Sequence, residues 1–148
     1  MKSILALVQA CLAASATLMA ADQVTLTSQT LLPPVTEQRV VALKQLRFGM
    51  FVCWSFSTFS GKEWTPGVTN VDLFHPTGCD VEQWVKAAKA AEMGYILFLT
   101  KHHDGFCLWD TKTTDRKVTR SVLGRDVLRE LRQVCDKHGI KLALYFSG

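Results

Sequence analysis

Three segments of the 148-residue chain carry apolar runs too continuous for an amphipathic helix: 48–56 (FGMFVCWSF), 95–100 (YILFLT) and 141–146 (KLALYF). Each reads as a strand buried on both faces. Helical spacing separates them. Val40, Val41, Leu43 and Leu46 form a stripe over 36–46 with Thr36 as a candidate N-cap, and Trp84, Val85, Ala88 and Ala91 form another behind Asp80, with Gln83 three residues on and Gly94 as the stop. A third helix opens at Asp126, runs through Val127, Leu131, Val134 and Cys135, and ends at His138-Gly139.

Strands alternating with amphipathic helices predict an α/β fold with a parallel sheet covered by helices. Two long polar segments, 57–78 and 101–125, follow the first two strands, whereas the turns after the helices are short. In such folds the loops at strand C-terminal ends carry the chemistry. The chain stops at the end of the third strand. Three parallel strands cannot close on themselves, and a closed eight-stranded barrel needs ~250 residues, so the expectation is an N-terminal portion, 35–148, of a larger and here incomplete catalytic barrel.

Composition narrows the picture. Hydrophobic residues make up 48% of the chain, which excludes intrinsic disorder. The formal charge is +4, from 17 Lys+Arg interspersed with 13 Asp+Glu, so no basic patch points to nucleic acid. Beyond the first twenty residues no apolar run is long enough to span a membrane. At the N-terminus, Met1-Lys2 precedes an apolar stretch that thins out at Ala20-Ala21-Asp22. This predicts a signal peptide over 1–21 and a secreted or periplasmic destination, with a Thr-rich linker over 22–34 ending in Pro33-Pro34. Four cysteines then remain, Cys53, Cys79, Cys107 and Cys135, without a C-x-x-C pair. They read as small buried hydrophobes rather than as a disulfide scaffold.

Candidate chemistry sits in the two long loops. Lys101-His102-His103-Asp104-Gly105-Phe106 places two imidazoles at a strand end, and a turn at Gly105 is what would let both face one ligand. No third ligand or helical H-E-x-x-H spacing accompanies them, so hydrogen bonding is favoured over metal ligation and no cofactor is called for. Asp104 reads as a structural partner for Lys101 or for the backbone at Gly105. In the first loop Glu63-Trp64 pairs a carboxylate with an indole, the combination that binds the hydroxyl edge and C–H face of a sugar. Glycoside hydrolysis needs two carboxylates, and no G-x-S-x-G elbow or phosphate-binding glycine loop competes with that reading.

Together, Arg47-Phe48-Gly49-Met50-Phe51-Val52-Cys53-Trp54, Glu63-Trp64, Phe74-His75-Pro76-Thr77, Trp84, Thr100-Lys101-His102-His103-Asp104-Gly105-Phe106, Arg125-Asp126 and Tyr145-Phe146-Ser147 resemble the opening of an α-L-fucosidase catalytic domain of glycoside hydrolase family 29. The resemblance implies a retaining exo-glycosidase on a (β/α)8-like barrel that removes terminal α-L-fucose from glycans. It implies that Glu63, Trp64, His102 and His103 contact the sugar, and that the nucleophile and acid/base lie beyond Gly148. Two positions depart from the pattern. Cys53 stands where the family usually has His before Trp54, and Ser55 where Gly is common. Cys53 and Trp54 are therefore candidate contacts only, because a thiol is a poor hydrogen-bond partner. Two other classes stay open: a sugar-binding protein that hydrolyses nothing, and a metal-dependent hydrolase using His102 and His103.

Overall fold

The computed structural model describes residues 35–148. The leader (1–21) and linker (22–34) predicted above lie outside the described residues. Three parallel strands, β1 (Gly49–Val52), β2 (Tyr95–Lys101) and β3 (Lys141–Phe146), lie in the order β1-β2-β3 with β2 at the centre. Helix α1 (Glu37–Gln45) precedes β1 and a single turn of helix, α2 (Ser57–Ser60), follows it. Helices α3 (Val81–Ala90) and α4 (Val127–His138) make the two crossovers and pack against each other. Among the described residues no helix is long and apolar enough to cross a membrane.

The crossover helices form where the sequence supplies their ends. Asp80 accepts the Gln83 N–H at 3.0 Å and Asp126 accepts the Arg129 N–H at 2.9 Å, each cap stabilising its helix by about 1 kcal/mol. Gly139, at φ 70°, closes α4 in the left-handed region that glycine adopts without strain. Val81, Val85 and Ala88 of α3 and Val127, Leu131 and Cys135 of α4 are buried against Ile96 and Phe98 of β2. Phe56, Phe74 and Phe106, contributed by the loops, complete this core with rings packed at a tilt. Burying each such side chain is worth about 1.5–3 kcal/mol.

Several expectations are corrected. β1 stops at Val52 rather than running to Phe56, because Ser55 and Thr58 bond locally to the backbone and start α2 instead of extending the ladder. Neither edge strand is buried on both faces: Phe51 is 55% exposed, and Leu144, Tyr145 and Phe146 are also exposed, because no further element among the described residues covers them. Helix α1 has its Thr36 cap, at 3.3 Å from the Arg39 nitrogen, yet buries no residue. Helix α3 ends at Ala90, before Gly94. Gly94 serves instead as a point of close backbone approach, since a Cβ there would lie 2.3 Å from the Leu46 carbonyl oxygen. The third strand ends at Phe146, two residues before the last residue of the chain. All four described cysteines are free thiols, with Cys107 and Cys135 buried.

Candidate functional site

The C-terminal ends of the three strands lie side by side, as a parallel sheet requires, and the candidate chemistry collects there. β2 ends at Lys101 and the chain turns at once, with the Gly105 N–H donating to the His102 carbonyl at 3.0 Å. Gly105 has φ 79°, which makes this turn possible for glycine and costly for other residues. The turn lifts both imidazoles off the strand alternation and sets them edge to face, with ring centroids 4.8 Å apart. Ser147, just past β3, places its hydroxyl 2.9 Å from His103 Nδ1. It is held there by its own N–H, which donates to the Lys101 carbonyl at 2.9 Å, while the Lys101 ammonium donates to the Ser147 carbonyl and lies 4.7 Å from the centre of the Phe146 ring.

The loop after β1 approaches from the other side. Trp64 is 61% exposed, and its indole meets His103 edge-on at 6.0 Å. Behind it, Thr65-Pro66-Gly67-Val68 forms a tight turn, closed by the Val68 N–H on the Thr65 carbonyl at 3.4 Å with Gly67 at φ 77°. Trp64, Pro66 and His103 line a cleft of about 190 Å³. Sites for larger ligands run to ~300–1,000 Å³, so this cleft suits one small ring.

Asp104, next to His103 and buried, fastens the two loops together. One carboxylate oxygen accepts the Phe106 N–H at 2.9 Å and the other the Thr65 hydroxyl at 3.1 Å. A bond of this charge-assisted kind contributes about 1.5–3 kcal/mol. The partners expected from the sequence were Lys101 or the backbone at Gly105; the structure substitutes the next backbone amide and a residue 39 positions away. With both oxygens engaged, Asp104 is structural.

The remaining candidates are arranged differently. Glu63 is exposed and does not line the cleft; its carboxylate has no partner among the described residues, and its carbonyl accepts the Ser57 hydroxyl at 2.7 Å. His102 stands behind His103, with its Nδ1 buried and without a hydrogen-bond partner. Trp54 turns toward the helices, its ring 4.6 Å from Phe74 and 5.5 Å from Trp84. Cys53 and Trp54 line a separate groove with Cys79 and Asp80. Desolvation at the strand end, and then the negative charge of Asp104, push the Cys53 thiol pKa up, so it remains protonated and weakly nucleophilic at neutral pH. Among the described residues no three His, Cys, Asp or Glu side chains converge as a cation site. Thr65 and Pro66 carry no site signal in the sequence beyond a common T-P-G turn, and Ser147 stands there only as part of the Tyr145-Phe146-Ser147 motif; proximity in space is what gives the three a role.

The chain is similar to known proteins over most of its length. The sequence profile of the alpha-L-fucosidase family matches residues 18–148. Alpha-L-fucosidase 1 of Arabidopsis thaliana is 39% identical over 101 residues, which cover 66% of this chain and 20% of that protein. A solved glycoside hydrolase 29 family member from an unknown rumen bacterium superposes with TM-score 0.70 at 34% identity, covering 75% of this chain and 20% of that one. An alpha-L-fucosidase of the same family from Bacteroides thetaiotaomicron, solved as a trapped covalent intermediate in complex with 2-fluoro-fucosyl fluoride, gives TM-score 0.66 at 29% identity over 76% of this chain and 30% of that one. The chain therefore spans between a fifth and a third of the length of these relatives. On the strength of the profile match, the chain belongs to the alpha-L-fucosidase family, glycoside hydrolase family 29.

Proposed function

We propose that residues 35–148 are the N-terminal portion of a (β/α)8 barrel of a retaining exo-α-L-fucosidase, and that Trp64 and His103, with His102 and Glu63 beside them, hold the terminal fucose of a glycan. The observation that carries this reading is the meeting of the Trp64 indole and the His103 imidazole, 6.0 Å apart, over a one-ring cleft at the C-terminal ends of parallel strands. An indole packs on the C–H face of a pyranose, and an imidazole in its neutral form both donates and accepts, so it distinguishes hydroxyl orientations. Such bonds accelerate glycosidic cleavage to the extent that they strengthen as the ring flattens toward the oxocarbenium-like transition state.

Cleavage with retention needs a carboxylate nucleophile and a second carboxyl group as acid/base. Asp104 is bound at both oxygens, which leaves Glu63 without a carboxylate partner, and we assign the reacting pair to residues outside this chain. Its 148 residues alone are then inactive. The covalent intermediate trapped in the B. thetaiotaomicron relative supports a two-step mechanism. The apolar segment before Asp22 supports export to a secreted or periplasmic location, with 1–21 as leader and 22–34 as linker.

Assay of the full-length protein on an aryl α-L-fucoside, with His102→Ala and His103→Ala variants, tests the reading. Turnover by the wild type that falls about 100-fold or more in His103→Ala is expected for a lost substrate contact. Undiminished turnover in both variants overturns the site. Binding of L-fucose without hydrolysis would move the protein to the class of sugar-binding proteins.

A further inference from the structure

We propose that Arg116 is a positioning residue: its guanidinium bridges the backbone carbonyls of Val68 and Asp104, and so sets the distance between Trp64 and His103 across the candidate sugar cleft. The inference rests on the fucose-binding reading of that cleft and adds to it a residue that touches no sugar.

Two tight turns face each other beneath the cleft. Thr65–Val68 follows Trp64 directly, and His102–Gly105 contains His103. Each turn is internally fixed by its own backbone bond and its own positive-φ glycine, Gly67 or Gly105. What could vary is the gap between them. The Thr65 hydroxyl on Asp104 closes the gap at one end of the first turn. Arg116 closes it at the other end, because one nitrogen, Nη2, donates to both the Val68 carbonyl and the Asp104 carbonyl. Two ties at opposite ends of a four-residue turn prevent it from pivoting about either. Trp64, one residue outside the turn, inherits that restraint.

The chemistry of the side chain suits the task. Two carbonyls, from loops 36 positions apart, are met by the two N–H bonds of Nη2, whose directions the guanidinium plane fixes. Arg116 is itself held by its own segment, with its N–H on the Thr114 hydroxyl at 3.1 Å and its carbonyl accepting the Cys107 N–H at 2.9 Å. Its Nε is buried without a partner, and among the described residues no carboxylate lies in ion-pair contact with it. A half-buried cation whose partners are carbonyls of two separate loops is placed for holding backbone rather than for balancing charge. Lysine carries its N–H donors on a freely rotating ammonium, so it can reach the same carbonyls but fixes their spacing less firmly.

The test uses the full-length protein and two readouts. Arg116→Gln should raise KM for an aryl α-L-fucoside about tenfold while kcat changes less than about threefold, the pattern of lost positioning rather than lost chemistry. In the same variant, amide hydrogen exchange should accelerate in 64–68 and 103–106 and stay unchanged in β2. Arg116→Lys should give a smaller rise in KM, and it carries the same comparison should the glutamine variant fail to fold. Arg120→Gln, at an exposed residue paired with exposed Asp115, should match wild type in both readouts. Unchanged KM in both Arg116 variants, or exchange that accelerates equally in β2, overturns the proposal. If the wild type cleaves no α-L-fucoside, the fucosidase reading falls, and exchange in 64–68 still decides whether Arg116 fastens the loops.

Discussion

The two faces of the sheet are made from the same three strands and end in opposite situations. On the helix side Ile96 and Phe98 are fully buried beneath α3 and α4. On the other side the rings of Phe51 and Tyr145 lie 6.0 Å apart, flanking β2, and both are exposed. Both faces are apolar. The helix side is covered because its covering helices lie between the strands in sequence, so each crossover delivers its own lid. The other face receives no covering helix among the described residues: Leu99 at its centre is buried, while the edge-strand rings on either side stay exposed. In a barrel that face is the interior, filled by side chains of strands on the far side, and its exposure here is what the barrel reading requires.

That contrast is open to direct attack, beginning with the largest effect. Phe98→Ala should destabilise the chain by about 3–5 kcal/mol, the usual cost of a phenylalanine-sized cavity, measured by urea denaturation; a loss below about 1 kcal/mol would mean that the helix side is not the core. Removing helix caps should separate covered from uncovered helices more gently. Asp126→Ala should cost about 1–2 kcal/mol, because its carboxylate caps α4 and also accepts the Asp110 N–H at 3.1 Å. Thr36→Ala on α1, which buries nothing, should cost no more than about 0.5 kcal/mol.

Acid should loosen the covered side through Glu82, which links α3 to Lys137 and His138 at the end of α4. Hydrogen bonds from Lys137 and then His138 hold its carboxyl at about 2, below the usual 4.5. The folded state therefore binds fewer protons than the unfolded state between those values. The stabilisation is complete above about pH 4.5 and is lost as pH falls through about 2. Wild type should lose more in Tm than Glu82→Gln between about pH 6 and pH 3. Equal losses would show that Glu82 does not link the helices. The smallest effect is expected from Phe51→Ser in the 148-residue chain, within about 0.5 kcal/mol for an uncovered position; a loss approaching that of Phe98→Ala would show that the second face is already covered.

Much of the covered side was legible in the residues themselves. Asp80 and Asp126 announce helix starts, Gly139 a helix end, and YILFLT and KLALYF strands, because capping and periodicity act over a few residues. The sequence carries β1 four residues too far at its C-terminal end, since Ser55 and Phe56 are buried by a bend that local hydrogen bonds impose and not by strand pairing. α1 looked amphipathic, yet a stripe of valine and leucine specifies only that a partner is wanted, not that one is present. At the site, Trp64 and His103 were legible as residue types through the fucosidase resemblance, whereas their meeting was not. It depends on Thr65 reaching Asp104 and Arg116 reaching Val68, pairings across 39 and 48 positions that no periodicity encodes.

The most direct measurement is a crystal structure of the full-length protein with L-fucose bound. The account predicts the sugar between the two loops, with its C–H face on the Trp64 indole and His103 within about 2.7–3.2 Å of a ring hydroxyl. Fucose seated elsewhere, with the Trp64–His103 cleft holding only solvent, would contradict it.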